Sequence, residues 1–109
     1  MAFKGGNRHT PAFLLLFLAE EPSYGGMLLS RMQTELPHCF SDSAIIYRSL
    51  NEMEKNGWVE TSWEYRDTGQ PRKWYTITLR GKEALQEQAV DIQMRLANFE
   101  FFLSRFNKL

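Results

Sequence analysis

Five basic residues, Arg66, Arg72, Lys73, Arg80 and Lys82, fall within seventeen positions that hold one acid, Asp67. Cations at that density suit a run of phosphates on a nucleic-acid backbone. The same run also fits a hairpin whose charges simply meet water, and the count alone leaves both readings open. A second stretch with chemical potential is SDSAIIYRSLNEMEKNG, from position 41. Wound as a helix at about 100° per residue, it puts Ile46, Leu50 and Met53 on one face and Ile45, Arg48, Glu52 and Lys55 opposite. An isoleucine beside an arginine near a helix start could meet base edges in a DNA major groove. An ordinary surface helix with one stray apolar residue is the plainer alternative.

No residues assemble a reactive centre. Cys39 is the single cysteine, so an internal disulfide is excluded and no oxidising compartment is implied. His38 beside it does not make a metal site, because adjacent residues rarely converge on one ion and no second pair exists. Neither His9 nor His38 sits in a nucleophile or acid–base pattern, and no glycine-rich phosphate loop is present. No enzyme activity, metal or cofactor is expected.

The elements that would position these residues can be traced along the chain. At 109 residues, 43% hydrophobic and 24% charged, it is long enough for one domain with a modest core. Acids and bases balance at 13 each, so attraction to nucleic acid must be local. PAFLLLFLA, preceded by Lys4, Arg8 and His9, imitates a signal peptide. The apolar run is short, no A-x-A site follows and Glu20-Glu21-Pro22 comes next, so neither secretion nor a membrane span is expected. Thr10 as N-cap and Pro11 at the first helical position predict a buried helix over 11–20. Ser23 as cap predicts a second from Tyr24 to Leu36, ended by Pro37, and Gly25-Gly26 in its first turn suggests close backbone packing. Ser41, Asp42 and Ser43 offer caps for the third helix and Asn56-Gly57 its stop. Alternation then predicts strands over Trp58–Tyr65 and Lys73–Leu79, with the basic run at and after the turn between them.

Three helices followed by a hairpin give a winged helix: mainly α with a small β-hairpin. Thr78 can cap a long fourth helix on which Leu85, Ala89, Ile92, Leu96, Phe99, Leu103 and Phe106 recur at alternating spacings of four and three. Val90, Ala97, Phe101 and Phe102 lie off this seam. That exceeds what a small core can cover, so residues 82–109 are expected to form a dimerisation helix on a winged domain of 1–81. Folding back onto its own domain is the alternative.

Several spaced motifs together resemble the PadR family of transcriptional regulators. They are Tyr24-Gly25; Ile46-Tyr47, Leu50, Met53-Glu54 and Gly57-Trp58-Val59; and Gly69, Arg72-Lys73, Tyr75, Ile77-Thr78, Gly81 and Leu85. The likeness covers about residues 10–90. Gly26 stands where an aromatic often follows the Tyr-Gly pair, and Ile45 where a small polar residue is common. The resemblance implies a winged helix-turn-helix homodimer on double-stranded DNA, usually a repressor, in a bacterial or archaeal cytoplasm. On that reading Ser41, Ser43, Ile45, Tyr47, Arg48, Arg72 and Lys73 are expected to meet DNA. Some such regulators hold flat aromatic compounds at the dimer interface, where Phe99, Phe101, Phe102 and Phe106 could line a site or simply be dimer core. A winged helix used only for protein contacts is the rival class.

Overall fold

The computed structural model describes residues 8–109, so Lys4 lies outside the described residues. Its elements are α1 (Thr10–Glu20), β1 (Ser23–Tyr24), α2 (Gly25–Glu35), α3 (Ser43–Lys55), β2 (Val59–Glu64), β3 (Arg72–Ile77) and α4 (Leu79–Phe106). The three strands form an antiparallel sheet in the order β1-β3-β2.

Leu14, Leu15 and Leu18 of α1, Leu28 and Met32 of α2, and Ile46, Leu50 and Met53 of α3 make one core with Val59, Tyr75 and Ala84. Each large apolar side chain so buried stabilises the fold by about 1.5–3 kcal/mol relative to exposure. Helix α1 is apolar on most sides because α2, α3, β3 and α4 all pack on it, while Leu16 stays exposed.

Local signals set several boundaries. Asp42 caps α3 by accepting from the Ile45 amide at 2.9 Å. The helix ends in a Schellman motif, with Trp58 N–H donating to Met53 O at 2.9 Å and Gly57 N–H to Glu54 O at 3.0 Å. This requires the left-handed backbone of Gly57, at φ 76°. Thr78 caps α4 as expected, accepting from Gly81 N–H at 3.1 Å while donating to Gly57 O at 2.6 Å.

Two expected caps do not form. Thr10 lies inside α1 behind an N-cap at His9, and its buried hydroxyl hydrogen-bonds Ser41 Oγ at 2.6 Å. Ser23 belongs to β1, where it pairs with Tyr75, so α2 starts one residue later with Tyr24 at its N-cap and no side-chain cap bond. Both polar groups found partners distant in sequence, which local pattern does not reveal. The strands are also shorter than expected at one or both ends, covering 59–64 and 72–77.

Gly81 fixes how α4 leaves the wing. A Cβ there would stand 2.1 Å from Trp58 O and 2.7 Å from Ile77 Cγ1. The first turns of α4 therefore pack into the winged domain, with Gly81 and Ala84 buried. From Leu96 onward every residue is exposed and the helix projects from the body, giving a molecule 62 × 27 × 24 Å.

Candidate nucleic-acid interface

Three elements border one concave cleft of about 400 Å³. Tyr24, Gly25 and Gly26 come from the start of α2, Tyr47 and Asn51 from α3, and Trp63, Arg72, Lys73 and Tyr75 from the hairpin. Helix α3 carries the face on which base contacts are expected. Its buried stripe of Ile46, Leu50 and Met53 fixes which way the helix turns, and exposed Ala44, Arg48, Asn51 and Lys55 point most directly away from the core. Arg48 is thus well placed. Ile45 is not fully exposed as the sequence suggested; it sits half-buried on one flank of this face. Tyr47 occupies the other flank, 43% exposed.

Gly25 explains the Tyr47 position. A Cβ on Gly25 would lie 2.5 Å from Tyr47 Cε1, so the ring lies directly over the first turn of α2. The close backbone packing expected of the glycine pair holds for Gly25. A Cβ on Gly26 would meet only the Tyr24 ring, at 3.4 Å, an ordinary contact. Because α2 has no side-chain cap, amides of its first turn remain without helical partners beside the cleft. Such amides favour an anion.

The cations of the hairpin are less available than their run suggested. Lys73 Nζ donates to Glu54 Oε1 at 3.0 Å, and its ammonium is held above its ordinary value chiefly by that bond. Arg72 lies over the Tyr24 ring at 4.0 Å and 3.9 Å from Glu64, its cross-strand partner. Glu54 and Glu64 both lie outside the basic window, which is why that window looked so positive. Arg66 behaves differently: it donates to the Gln70 carbonyl at 2.9 and 3.3 Å, closing the wing tip while its charge stays in solvent. Gly69, at φ 84°, makes the turn that brings them together.

Among the serines, Ser43 is exposed at the start of α3, whereas Ser41 is turned inward onto Thr10 and offers no hydroxyl to a partner. The sequence reading passed over Tyr24, Gly25, Asn51 and Trp63 as cleft residues. Asn51 was legible, lying three residues beyond Arg48 on the same face, but the others reach the cleft through β1 pairing and the strand register.

The seam on α4 divides in two. Leu85 and Ile92 are half-buried against α1, where Ala12, Phe13, Leu16, Gln88 and Ala89 complete an apolar groove of about 280 Å³. Beyond it Leu96, Phe99, Leu103 and Phe106 are 52–64% exposed. A smaller hollow of about 160 Å³ joins Phe13 to Leu96 and Phe99. Val90, Met94 and Phe101 expose a further apolar stripe on the opposite side of the helix. Among the described residues no group of acidic, histidine or cysteine side chains could hold a metal, and no helix is long and apolar enough to cross a membrane.

Solved structures share this architecture. A transcriptional regulator from Clostridium thermocellum is 19% identical and superposes with a TM-score of 0.78 over 94% of this chain and 98% of that one. A PadR-like transcriptional regulator from Bacillus cereus is 25% identical, with a TM-score of 0.72 over 87% and 91%. PadR of Bacillus subtilis, in complex with operator DNA, is 23% identical with a TM-score of 0.66, matched over 73% of this chain and 46% of that one. A comparison with curated protein sequences finds no significant match. The model of the PadR-like family of transcriptional regulators matches residues 14–87, most of the winged domain and the start of α4. The chain belongs to that family.

Proposed function

We propose that the protein is a homodimeric repressor that binds a pseudo-palindromic operator through α3 and its wing. One observation carries this reading: the reading face of α3, the uncapped start of α2 and the hairpin open onto a single cleft. Arg48 and Asn51 suit base edges, Tyr47 and the α2 amides suit a phosphate, and Arg66 carries the free charge of the wing tip. The bare distal half of the seam supports a second copy as partner, since large exposed apolar patches mark association sites. A dimer sets two reading helices at a fixed spacing, about 34–36 Å or a multiple of it for successive turns of DNA.

Selection of bound fragments from random or genomic DNA with the purified protein tests this. A recovered motif with two related half-sites is the expected outcome. Affinity for it should fall steeply with salt, and Arg66→Ala should flatten the log K against log salt slope by about 0.9. Failure to enrich any sequence, with salt-insensitive binding to proteins instead, would favour the winged-helix protein module.

The apolar hollows beside Phe13, Leu96 and Phe99 favour one refinement, release by a small aromatic effector. A screen of flat aromatic compounds by thermal shift checks it: binding should raise the melting temperature and weaken operator affinity, and a hollow filled only by dimer side chains gives neither.

A further inference from the structure

Glu54 stands on the last turn of α3 and uses both carboxylate oxygens. Its Oε1 accepts from Lys73 Nζ at 3.0 Å on β3, and its Oε2 accepts from Thr61 Oγ1 at 2.9 Å on β2. A single side chain thus ties the reading helix to both strands of the wing. The sheet register explains the convergence: Trp63 faces Lys73 and Thr61 faces Tyr75, placing all four on the side of the hairpin turned toward α3. The Lys73 ammonium lies within 5.9 Å of the Trp63 ring and 5.5 Å of the Tyr75 ring, so three directions hold it.

The hairpin needs such a tie. Strand β1 pairs only with Trp74 and Tyr75, which leaves the outer half of β2 and β3 as a two-stranded ribbon. Ribbons of that kind have little stability of their own in water.

We propose that Glu54, Lys73 and Thr61 form a positioning bridge that sets the angle between the reading helix and the wing. Lys73 then acts on DNA binding through Glu54 and does not touch a phosphate. This rests on the DNA-binding reading above, but the bridge itself makes a claim about the DNA-free protein.

The test uses Lys73→Met, which keeps the stem without the charge, Glu54→Gln, the double variant and Lys73→Arg. Binding to the selected DNA is measured across salt concentrations, with amide exchange of β2 and β3 followed in the free protein. Each of the first two changes should weaken binding about tenfold with an unaltered salt slope. The double variant should be no worse than either, because both remove one shared interaction. Lys73→Arg should bind close to the parent. Amides in the outer halves of β2 and β3 should exchange faster in Lys73→Met and Glu54→Gln alike.

A phosphate-contacting lysine gives the opposite pattern. Lys73→Met would flatten the slope by about 0.9, and Glu54→Gln, by removing a competing negative charge, would tighten binding. Either result overturns the proposal, as do unchanged exchange rates. A parent that binds no DNA removes the regulator reading, and the exchange rates then decide whether the bridge holds the wing.

Discussion

At the residue scale, what a side chain touches decides whether a change is felt in stability or in binding. Gly25 and Gly81 make the contrast. An added methyl at Gly25 meets the end of a surface tyrosine ring, whereas at Gly81 it meets the Trp58 carbonyl and Ile77. Gly25→Ala should leave unfolding by urea nearly unchanged and weaken DNA binding, because Tyr47 must swing off α2. Gly81→Ala should destabilise by roughly 1–3 kcal/mol, since α4 and the backbone of the hairpin must separate. Equal stability losses would contradict these placements.

The Glu54–Lys73 pair gives a prediction in pH. Bonds from Lys73 and Thr61 hold the Glu54 carboxyl below its ordinary 4.5, and the bond to Glu54 holds Lys73 above its ordinary 10.5. The carboxylate's contribution is fully present above 4.5 and disappears as pH falls through its lower folded value; that of Lys73 is fully present below 10.5 and disappears as pH rises through its higher one. Wing protection, corrected for the intrinsic exchange rate, should therefore stay level from about pH 5 to about pH 9 and weaken in stronger acid. A midpoint near neutrality would point to a histidine instead.

At the scale of elements, the placement of α3 divides its candidates into two kinds. Arg48 and Asn51 face outward, so Arg48→Ala or Asn51→Ala should each lose about 1–3 kcal/mol of discrimination at one base pair with little change in stability. Half-buried Ile45 should behave in the mixed manner of its position: Ile45→Ser should lower the unfolding midpoint as well as altering the selected motif. Unchanged specificity in all three variants would put the reading face elsewhere. These elements differ in how far the sequence exposes them. The bounds of α3 and the start of α4 were legible because Asp42, Gly57 and Thr78 act within a few residues of themselves. Strand β1 was not, because two residues become a strand only when Tyr75 and Trp74 come alongside, some fifty positions later. The pairing of Lys73 was hidden for the same reason, its partner Glu54 being nineteen residues away.

For the whole molecule, the decisive feature is the projecting half of α4. Leu96 is 52% exposed in one copy, so a glutamate there should cost the protomer little. Buried against a partner, the same carboxylate would cost about 3–5 kcal/mol or take up a proton. Leu96→Glu should thus sediment as a monomer with most of its helix content retained, and lose operator affinity because two half-sites are no longer joined. A parent already monomeric at micromolar concentration would sink the dimer. The same projection bears on dosage in the cell. Within the proposed dimer the second chain would cover the last turns of α4, which are exposed in one copy. Newly made chains that have not met a partner would present this exposed, phenylalanine-rich end to proteases, while paired chains would hide it. Below the dissociation constant of such a dimer, the number of intact pairs would then rise more steeply than the amount synthesised, giving a gene under its control a threshold that no effector need supply.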